Sequence, residues 1–356
     1  MIDLFSDTKT RPTPAMRQAI AQAEVGDEQK FEDPTINRLR ERICELLGKD
    51  DAVFLPSGTM CNEIAIAVHC RPGDEVIAAA GSHVVDYEGG GPAALAGAMV
   101  RALSTPEGGV PGTFDAAAVR AAVRGDSRYF PRSRLVCVEQ TVNTAGGRIW
   151  PLAQMREVAQ TAASLGLATH IDGARLMNAV VAAGVPASEY ARGYDSVWID
   201  FSKGLGCPVG AMLAGGRDFI AQAWRLKQRW GGALRQAGIL GAAALHALDH
   251  HVERLAEDHA NAQVLARELA TLPGVTIDPA TVETNIVFFD VAGTRASAAQ
   301  LCAELARRGV QMGAFGETVI RAVTHLDVSR DDVLRAVAAL REAIGAVAGA
   351  SSKPTN

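Results

Sequence analysis

Short runs of apolar residues alternate with longer stretches in which apolar side chains recur every three or four positions, from about residue 33 to residue 248. The continuous runs predict buried strands, whereas the recurring spacing predicts amphipathic helices. Strands that alternate with helices form mostly parallel sheets with helices on both faces. The pattern therefore predicts an α/β fold with a mostly parallel, seven-stranded sheet. The predicted strands are 52–55, 75–79, 98–103, 134–139, 167–171, 196–199 and 209–214.

Two predicted helices carry clear boundary signals. The first begins with Asp33 as a capping acid and Pro34 in its first turn, and Gly48 ends it. Its apolar side chains form one stripe, at positions 36, 39, 43, 46 and 47. The second covers residues 151–165, has one apolar face and is followed by Gly166. Both helices lie beside predicted strands, as an α/β fold requires.

The pattern changes near residue 248. A long amphipathic stretch at 252–272 leads to a strand at 285–291 and a helix at 296–308, and then to a strand at 319–323 and a last helix at 330–346. We therefore predict a large domain with an N-terminal arm over residues 1–250 and a small α+β domain over residues 251–348. Residues 349–356 are predicted to be a disordered tail, because they are small and polar and lie at a terminus.

Composition narrows the class of protein. The 356 residues are 48% hydrophobic and 21% charged, which is enough for a large core, and the net charge of −5 comes without a basic stripe. Nucleic acid is therefore not an expected partner. The chain begins without a secretory signal pattern and has no apolar stretch long enough for a membrane span. The six cysteines lack metal-site spacing. We expect a cytoplasmic protein with neither a metal site nor a membrane contact.

Candidate chemistry begins at the ends of two predicted strands. Asp172 directly follows the run 167–171, and Lys203 follows the run 196–199. Open α/β sheets bind ligands at the carboxyl ends of their strands. An acid can hold a protonated pyridine nitrogen and a lysine can form a Schiff base, so the pair predicts pyridoxal phosphate (PLP). The alternative is a partly buried ion pair, because Lys and Asp are rarely buried without a partner.

Further candidates fall in the order that a PLP site needs. Ser57, Gly58 and Thr59 follow a strand and begin a helix, where N–H groups and hydroxyls suit a phosphate. The alternative for this turn is a plain helix cap. His83 comes shortly after another strand, where an imidazole can lie flat on a pyridine ring. Arg175 and Arg321 can each bind a carboxylate through two hydrogen bonds, although a solvated arginine is the commoner case.

Several sequence blocks resemble the L-threonine aldolase family, within the wider group of β-eliminating lyases. Among them are Leu-Phe-Ser-Asp-Thr-Lys-Thr-Arg-Pro-Thr at 4–13, His-Ile-Asp-Gly-Ala-Arg at 170–175 and Ser-Lys-Gly-Leu-Gly at 202–206. The other blocks are 25–27, 33–35, 57–62, 234–238 and 324–329. The resemblance covers about residues 3–345. It implies fold type I of the PLP-dependent enzymes, in the aspartate aminotransferase superfamily, and a homo-oligomer, dimer or tetramer, whose sites are completed across a dimer interface.

The resemblance also implies a role for each matching residue. Lys203 matches the Schiff-base lysine, Asp172 the partner of the pyridine nitrogen and His83 the residue that stacks on the ring. Ser57, Gly58 and Thr59 match the family residues that bind the phosphate. Arg235 matches an arginine that reaches the phosphate from a neighbouring subunit. Ser6, Arg175 and Arg321 match the residues that bind the substrate carboxylate, and the resemblance also implies that Arg175 lies beside the cofactor. The implied reaction cleaves the Cα–Cβ bond of β-hydroxy-α-amino acids and gives glycine and an aldehyde.

This chain departs from the family pattern at two positions. After the central strand the family usually reads Glu-Asn-Thr-His-Asn, whereas residues 139–143 read Glu-Gln-Thr-Val-Asn, so that Val142 replaces a histidine. Cys207 replaces an alanine. The first change opens two questions, which side chain is accepted at Cβ and whether His83 or a phosphate-bound water takes the hydroxyl proton. A β-eliminating lyase of the same fold and a PLP-binding protein without turnover remain alternatives.

Overall fold

The structure is a computed structural model that describes residues 1–351; for 348–351 it describes only the helix to which they belong. The disordered tail was predicted from residue 349, but residues 349–351 belong to the last helix, and the rest of the predicted tail, from residue 352, lies outside the described residues. The chain divides into two compact units. The large unit is Pro12–Val252, and the small unit is Met1–Arg11 together with the chain from Glu253 onward. The first residues of the chain thus belong to the same unit as its C-terminal part.

The strands are, in chain order, β1 Ile2–Asp3, β2 Asp51–Leu55, β3 Asp74–Ala79, β4 Met99–Leu103, β5 Arg132–Glu139, β6 Ala168–Asp172, β7 Ser196–Asp200, β8 Ala211–Gly215, β9 Ile286–Asp290, β10 Val310–Gln311, β11 Gly313–Ala314 and β12 Val319–Val323. Every strand predicted for the large unit is confirmed, with its ends within two residues of the prediction. In the small unit, β9 and β12 are confirmed as well.

The α-helices are α1 Pro14–Ala21, α2 Pro34–Leu47, α3 Gly58–His69, α4 His83–Asp86, α5 Gly91–Leu95, α6 Ala116–Ala122, α7 Leu152–Ser164, α8 Leu176–Ala183, α9 Ala187–Ala191, α10 Arg217–Arg229, α11 Gly238–His250, α12 Leu255–Leu269, α13 Ala298–Arg307 and α14 Arg330–Ser351. Short 3-10 helices cover Asp7–Lys9, Glu28–Lys30, Pro279–Thr281 and Ala292–Thr294. Among residues 1–351 no helix has both the length and the apolar character needed to cross a membrane.

The large unit is built on a seven-stranded sheet with the order β2-β8-β7-β6-β5-β3-β4. Strand β8 runs antiparallel to both neighbours, and the other neighbouring pairs run parallel. The interior strands β3, β7 and β8 are buried along their whole length, whereas β4 at one edge is not. Burial on both faces explains why these strands read as continuous apolar runs. The mostly parallel α/β fold is therefore confirmed.

Helix α2 forms as its sequence signals predict. The carboxylate of Asp33 accepts hydrogen bonds from the N–H groups of Thr35 and Ile36, and Gly48 ends the helix with a φ of 63°. That left-handed conformation costs glycine little because glycine has no Cβ. The apolar face of α2 is buried, through Ile36, Leu39, Ile43 and Leu47. Caps and periodicity, both local properties, thus define this helix.

The small unit combines a three-stranded antiparallel sheet, in the order β11-β12-β9, with helices α12, α13 and α14. Its N-terminal segment adds a short parallel pair, β1 with β10, in which Ile2 lies opposite Val310. Leu4 is fully buried in the core of this unit. The two-residue strands β1, β10 and β11 were not predicted, since two residues are too few to show a period.

Candidate active site

Three acidic residues end three neighbouring strands of the large sheet. Glu139 ends β5, Asp172 ends β6 and Asp200 ends β7, and Glu139 lies opposite Asp172 in the sheet register. Because these strands are parallel, their carboxyl ends meet at one edge of the sheet. Sequence reasoning selected Asp172 alone of the three. All three side chains are buried, so this edge holds an unusual concentration of carboxyl groups.

The side-chain amide of Asn62 on α3 organises this edge. Its Nδ2 donates to Asp172 Oδ2 and to Glu88 Oε1, both at 2.8 Å, and its Oδ1 accepts from Trp198 Nε1 at 2.7 Å. A tryptophan nitrogen can only donate, so this contact identifies the amide oxygen and leaves the NH2 group for the two carboxylates. Asp172 Oδ1 accepts from Ala174 N at 3.0 Å. Asp172 is thus anchored through both of its oxygens.

Two neutral histidines and a serine form a chain of hydrogen bonds that ends at Asn62. His170 Nε2 lies 3.1 Å from Asn62 Oδ1, and Ser196 Oγ lies 2.8 Å from His170 Nδ1 and 2.9 Å from His69 Nε2. Burial lowers the pKa of His170 to about 3 and that of His69 to about 4. His170 therefore donates from Nε2 to Asn62 and accepts at Nδ1 from Ser196. Sequence reasoning gave His69 and His170 no role.

His83 lies beside Asp172, at the start of α4. Its backbone N–H donates to Glu139 Oε2 at 2.6 Å, and its ring nitrogen Nδ1 lies 2.5 Å from Glu88 Oε1. Polar atoms of His83, Glu88 and Asp172 all lie within 4.8 Å of one another. Burial lowers the pKa of His83, but the hydrogen bond to Glu88 and the surrounding carboxylates outweigh it, and the net pKa is raised. About a third of its side chain is exposed, so the side chain is accessible to a ligand.

Lys203 follows β7 and carries its amine beside Asp200. The Nζ to Oδ2 distance is 2.7 Å, and the other oxygen of Asp200 accepts from the N–H and the hydroxyl of Ser202. Lys203 Nζ also lies 5.6 Å from the centre of the Trp198 ring. Trp198 donates to Asn62, and Asn62 donates to Asp172. Lys203 and Asp172 are therefore linked through the side chains of Trp198 and Asn62. Sequence reasoning missed Asp200, although it directly follows the run 196–199 and therefore carries the same signal that selected Asp172.

The turn before α3 meets the same tryptophan. Ser57 Oγ accepts from Met60 N at 3.2 Å, so Ser57 caps the helix, as the alternative reading of this turn proposed. A Cβ on Gly58 would lie 2.1 Å from the Trp198 ring, and only glycine fits there. Gly58 and Thr59 form the first turn of α3, whose N–H groups have no partner within the helix. A helix N-terminus of this kind can hold a phosphate.

Arg175 is buried three residues beyond Asp172. Its Nη1 donates to Asn143 Oδ1 at 3.4 Å, and its N–H donates to the carbonyl oxygen of Gln140 at 3.1 Å. Asn143 N in turn donates to Glu139 Oε1 at 2.8 Å. Burial, followed by the charge of Asp172, raises the pKa of Glu139 to about 7. Glu139 therefore connects the Arg175 loop to the N-terminus of α4.

Val142, which replaces the family histidine, is packed inside this loop. It is 1% exposed, its N–H donates to the carbonyl oxygen of Arg148 at 2.9 Å, and a Cβ on Gly112 would lie 2.3 Å from its Cγ1. The side chain therefore fills the space beside the backbone of Gly112. Cys207, the second departure, is also buried, and burial raises the pKa of its thiol.

Arg235 is mostly exposed and is held by the loop before α2. Its guanidinium pairs with Asp27 at 2.9 Å, and its carbonyl oxygen accepts from Glu28 N at 2.9 Å. Glu28 Oε2 accepts from Leu234 N at 3.0 Å, while Glu28 Oε1 pairs with Lys227. Both charged side chains of that last pair are fully buried. The segment that carries Arg235 is thus tied to a buried ion pair.

Two predicted substrate residues, Ser6 and Arg321, belong to the small unit. Ser6 Oγ accepts from the N–H of Thr8 at 3.2 Å and from its hydroxyl at 2.9 Å, at the start of a 3-10 helix. Arg321 lies on the central strand β12, opposite Phe288 and Gly313. The large unit therefore brings together Asp172, His83, Lys203 and the turn before α3, with Arg175 nearby, whereas Ser6 and Arg321 are held by the other unit.

The donor set at this edge suits PLP. Asp172 provides a buried, anchored carboxylate for a pyridinium nitrogen, and Lys203 provides an amine near the same tryptophan. The first turn of α3 provides N–H groups for a phosphate, and Gly58 has no side chain that would cover them. Every part of the predicted cofactor thus has a chemically matching partner in the large unit.

Comparisons with known proteins show which family and fold this chain shares. The family model described as Beta-eliminating lyase matches residues 3–292. "Low-specificity L-threonine aldolase 1" of Arabidopsis thaliana is 39% identical over 347 residues, 96% of each chain. "Low specificity L-threonine aldolase" of Escherichia coli is 39% identical over 338 residues, 95% of this chain and 98% of that one. The structure of a Leishmania major threonine aldolase, 21% identical, superposes with a TM-score of 0.81 over 97% of this chain and 100% of that one, which shows a shared fold.

Proposed function

Because the chain belongs to the β-eliminating lyase family, we propose that it is a PLP-dependent aldolase that cleaves the Cα–Cβ bond of β-hydroxy-α-amino acids to glycine and an aldehyde. The aldolase reaction predicted from the sequence is confirmed by the two threonine aldolases that match nearly the whole chain. PLP is the proposed cofactor. The observation that carries the proposal is the grouping of Asp172, His83 and Lys203 around Asn62 and Trp198.

Each residue of this group has a proposed task. Bound PLP would supply an electron sink for the electrons of the broken Cα–Cβ bond. Asp172 would hold a proton on the ring nitrogen, since Asn62 and Ala174 orient its carboxylate. Lys203 would attach the cofactor, and the first turn of α3 would bind its phosphate. The imidazole of His83 would stack on the ring.

The substrate carboxylate needs a cationic partner. Arg175 is buried and lies close to Asp172 in sequence, so its guanidinium would bind a carboxylate where water competes little. We propose Ser6 and Arg321 as further ligands of the same carboxylate, and we propose that Arg235 binds the phosphate of a neighbouring subunit in a homo-oligomer. Orientation of the carboxylate would set the Cα–Cβ bond perpendicular to the cofactor ring.

The β-hydroxyl proton requires a base. Val142 is apolar and buried, so it cannot serve. We propose His83 as the base: its Nδ1 contacts Glu88, so Nε2 is the ring nitrogen assigned to take the proton. A water bound to the phosphate remains the second candidate.

Product analysis tests the function directly. The protein, supplied with PLP, is assayed with L-threonine, L-allo-threonine, phenylserine and 3-hydroxyaspartate. We expect glycine and an aldehyde, whereas a β-eliminating lyase would release a keto acid and ammonia. Release of the second pair alone would refute the aldolase proposal.

Reductive labelling tests the cofactor site. Borohydride should abolish the visible absorption band of the bound cofactor and leave a pyridoxyl group on Lys203. Lys203→Ala should lose turnover, and Lys30→Ala, at an exposed lysine, serves as the control. A pyridoxyl group mapped to any other lysine would place the site elsewhere.

A further inference from the structure

Two buried glutamates lie behind His83. Glu63 follows Asn62 on α3, and Glu88 lies between α4 and α5; their residues are 3% and 8% exposed. Their carboxyl groups lie close enough together that the charge of Glu88 raises the pKa of Glu63. In the described part of the chain, no N–H or hydroxyl group donates to either oxygen of Glu63 or to Glu88 Oε2. Two carboxyl groups in contact cannot both be ionised at low cost, so they share one proton.

The fold provides a specific place for the Glu63 carboxyl. A Cβ on Gly91, the first residue of α5, would lie 1.9 Å from Glu63 Oε1. Any other residue at position 91 would therefore occupy the space of the carboxyl group. The Glu63 carboxyl therefore lies in the packing between α3 and α5.

The neighbours of each carboxyl decide which one holds the proton. Glu88 accepts from Asn62 Nδ2 and contacts His83 Nδ1, and both contacts favour its ionised form. Glu63 has no such donor. Burial, then the charge of Glu88 and their hydrogen bond, raises the pKa of Glu63 to about 8. Glu63 therefore remains a neutral acid near neutral pH and donates to Glu88.

We propose that Glu88 is a positioning residue that holds the His83 ring and balances its charge, and that Glu63 is the neutral acid that keeps Glu88 ionised and in place. The proposal rests on the proposed function only for what His83 does in turnover. There, the β-hydroxyl O–H bond breaks and an N–H bond forms at His83 Nε2, while the proton on Nδ1 stays directed at Glu88. The imidazolium is then stabilised by the carboxylate, as in other sites where a carboxylate orients a catalytic histidine.

Other groups also act on this chain of three side chains. Asp172 from the end of β6 and Glu139 from the end of β5 both raise the pKa of His83. Tyr87 places its ring 5.7 Å from that of His83. Cys61 on α3 and Cys137 on β5 lie near the same carboxylates, and burial raises the pKa of both thiols, so they remain neutral. None of these other groups is changed in the Glu63 and Glu88 variants below, so their effect on the His83 pKa stays constant.

The test is a titration of His83 by NMR in protein labelled at histidine, without and with PLP, with the signal assigned through His83→Gln. Glu88→Gln should lower the His83 pKa by more than about one pH unit, because it removes the adjacent negative charge. Glu63→Gln should change it by less than about 0.3, since an amide donates to Glu88 as a protonated acid does. Glu107→Gln, at an exposed glutamate, is the matched control for loss of one charge.

An unchanged His83 titration in Glu88→Gln would overturn the role of Glu88. A drop in Glu63→Gln as large as that in Glu88→Gln would overturn the neutral state of Glu63, because it would mean that a negative charge had been lost there. Infrared spectroscopy decides the same point if Glu88→Gln does not fold. The unmodified protein should have a protonated-carboxyl band at pH 7 that Glu63→Gln lacks, and absence of that band would refute the proposal.

Turnover provides the functional readout. The acid limb of the kcat/KM profile should move to lower pH in Glu88→Gln by the same amount as the His83 titration. The two measurements separate the possible failures. Loss of the NMR shift contradicts this inference whatever the activity, whereas an absence of glycine release with the shift intact contradicts the proposed function alone.

Discussion

Replacement of Lys227 by methionine tests how the large unit holds Arg235. Lys227 and Glu28 form an ion pair in which both side chains are fully buried, and Lys227 Nζ also lies 4.2 Å from the centre of the Trp224 ring. Burial lowers the pKa of Lys227, and Glu28 opposes that shift. In Lys227→Met the carboxylate of Glu28 stays buried but loses its charged partner. The backbone N–H of Leu234 still donates to it.

The expected cost follows from that geometry. Removal of one partner from a buried ion pair leaves a charge without compensation and destabilises by about 3–5 kcal/mol. Methionine fills most of the volume of the lysine side chain, so little of this cost comes from a cavity. Glu28→Gln in the Lys227→Met background should restore about 2 kcal/mol, because a neutral amide oxygen can still accept from Leu234 N without a buried charge. In the unmodified protein the same Glu28→Gln change should destabilise.

Urea unfolding of the PLP-loaded protein, followed by circular dichroism, measures these differences. Arg307→Met is the control, because Arg307 is largely exposed in its pair with Glu304 and should cost less than about 1 kcal/mol. PLP affinity should fall together with stability, since the pair ties down the segment that carries Arg235. A loss below about 1 kcal/mol for Lys227→Met, or a further loss when Glu28→Gln is added to it, would refute the reasoning.

Three further predictions concern the site. Asp172→Asn should lower the single-turnover rate at least about 100-fold with PLP still bound, because a neutral amide cannot hold the ring nitrogen protonated; a rate within a few fold would contradict this role. Arg175→Ala and Arg321→Ala should each cost about 2–5 kcal/mol in kcat/KM, and a change below tenfold in both would place these residues outside the carboxylate site. The unmodified protein should prefer phenylserine to L-threonine, because an apolar Val142 replaces a polar partner. Val142→His should move the preference toward threonine and destabilise the protein, since the imidazole must displace the backbone at Gly112; a parent enzyme with threonine as its best substrate would disprove the argument.

The sequence by itself determined the large sheet and the ends of its strands. Strands β3, β7 and β8 are buried on both faces, and each has an unbroken apolar centre with polar residues confined to its ends, so their positions could be read to within two residues. Asp172 and Lys203 were found for the same reason, because a charge that follows such a run must lie at the sheet edge. Helix α2 was predictable from its caps at Asp33 and Gly48. All of these signals are local in the chain.

Only the tertiary structure decided which side chains support the candidate site. Asn62 donates to Asp172 across 110 positions, and Glu28 pairs with Lys227 across 199. Such contacts depend on the order of the strands and on the packing of α3 against them, and neither leaves a period in the sequence. The Glu63 and Glu88 pair is hidden for a further reason. The amino-acid sequence does not distinguish a buried, protonated glutamate from a solvated, ionised one. The difference depends on the surrounding fold, in which Gly91 leaves space for the Glu63 carboxyl.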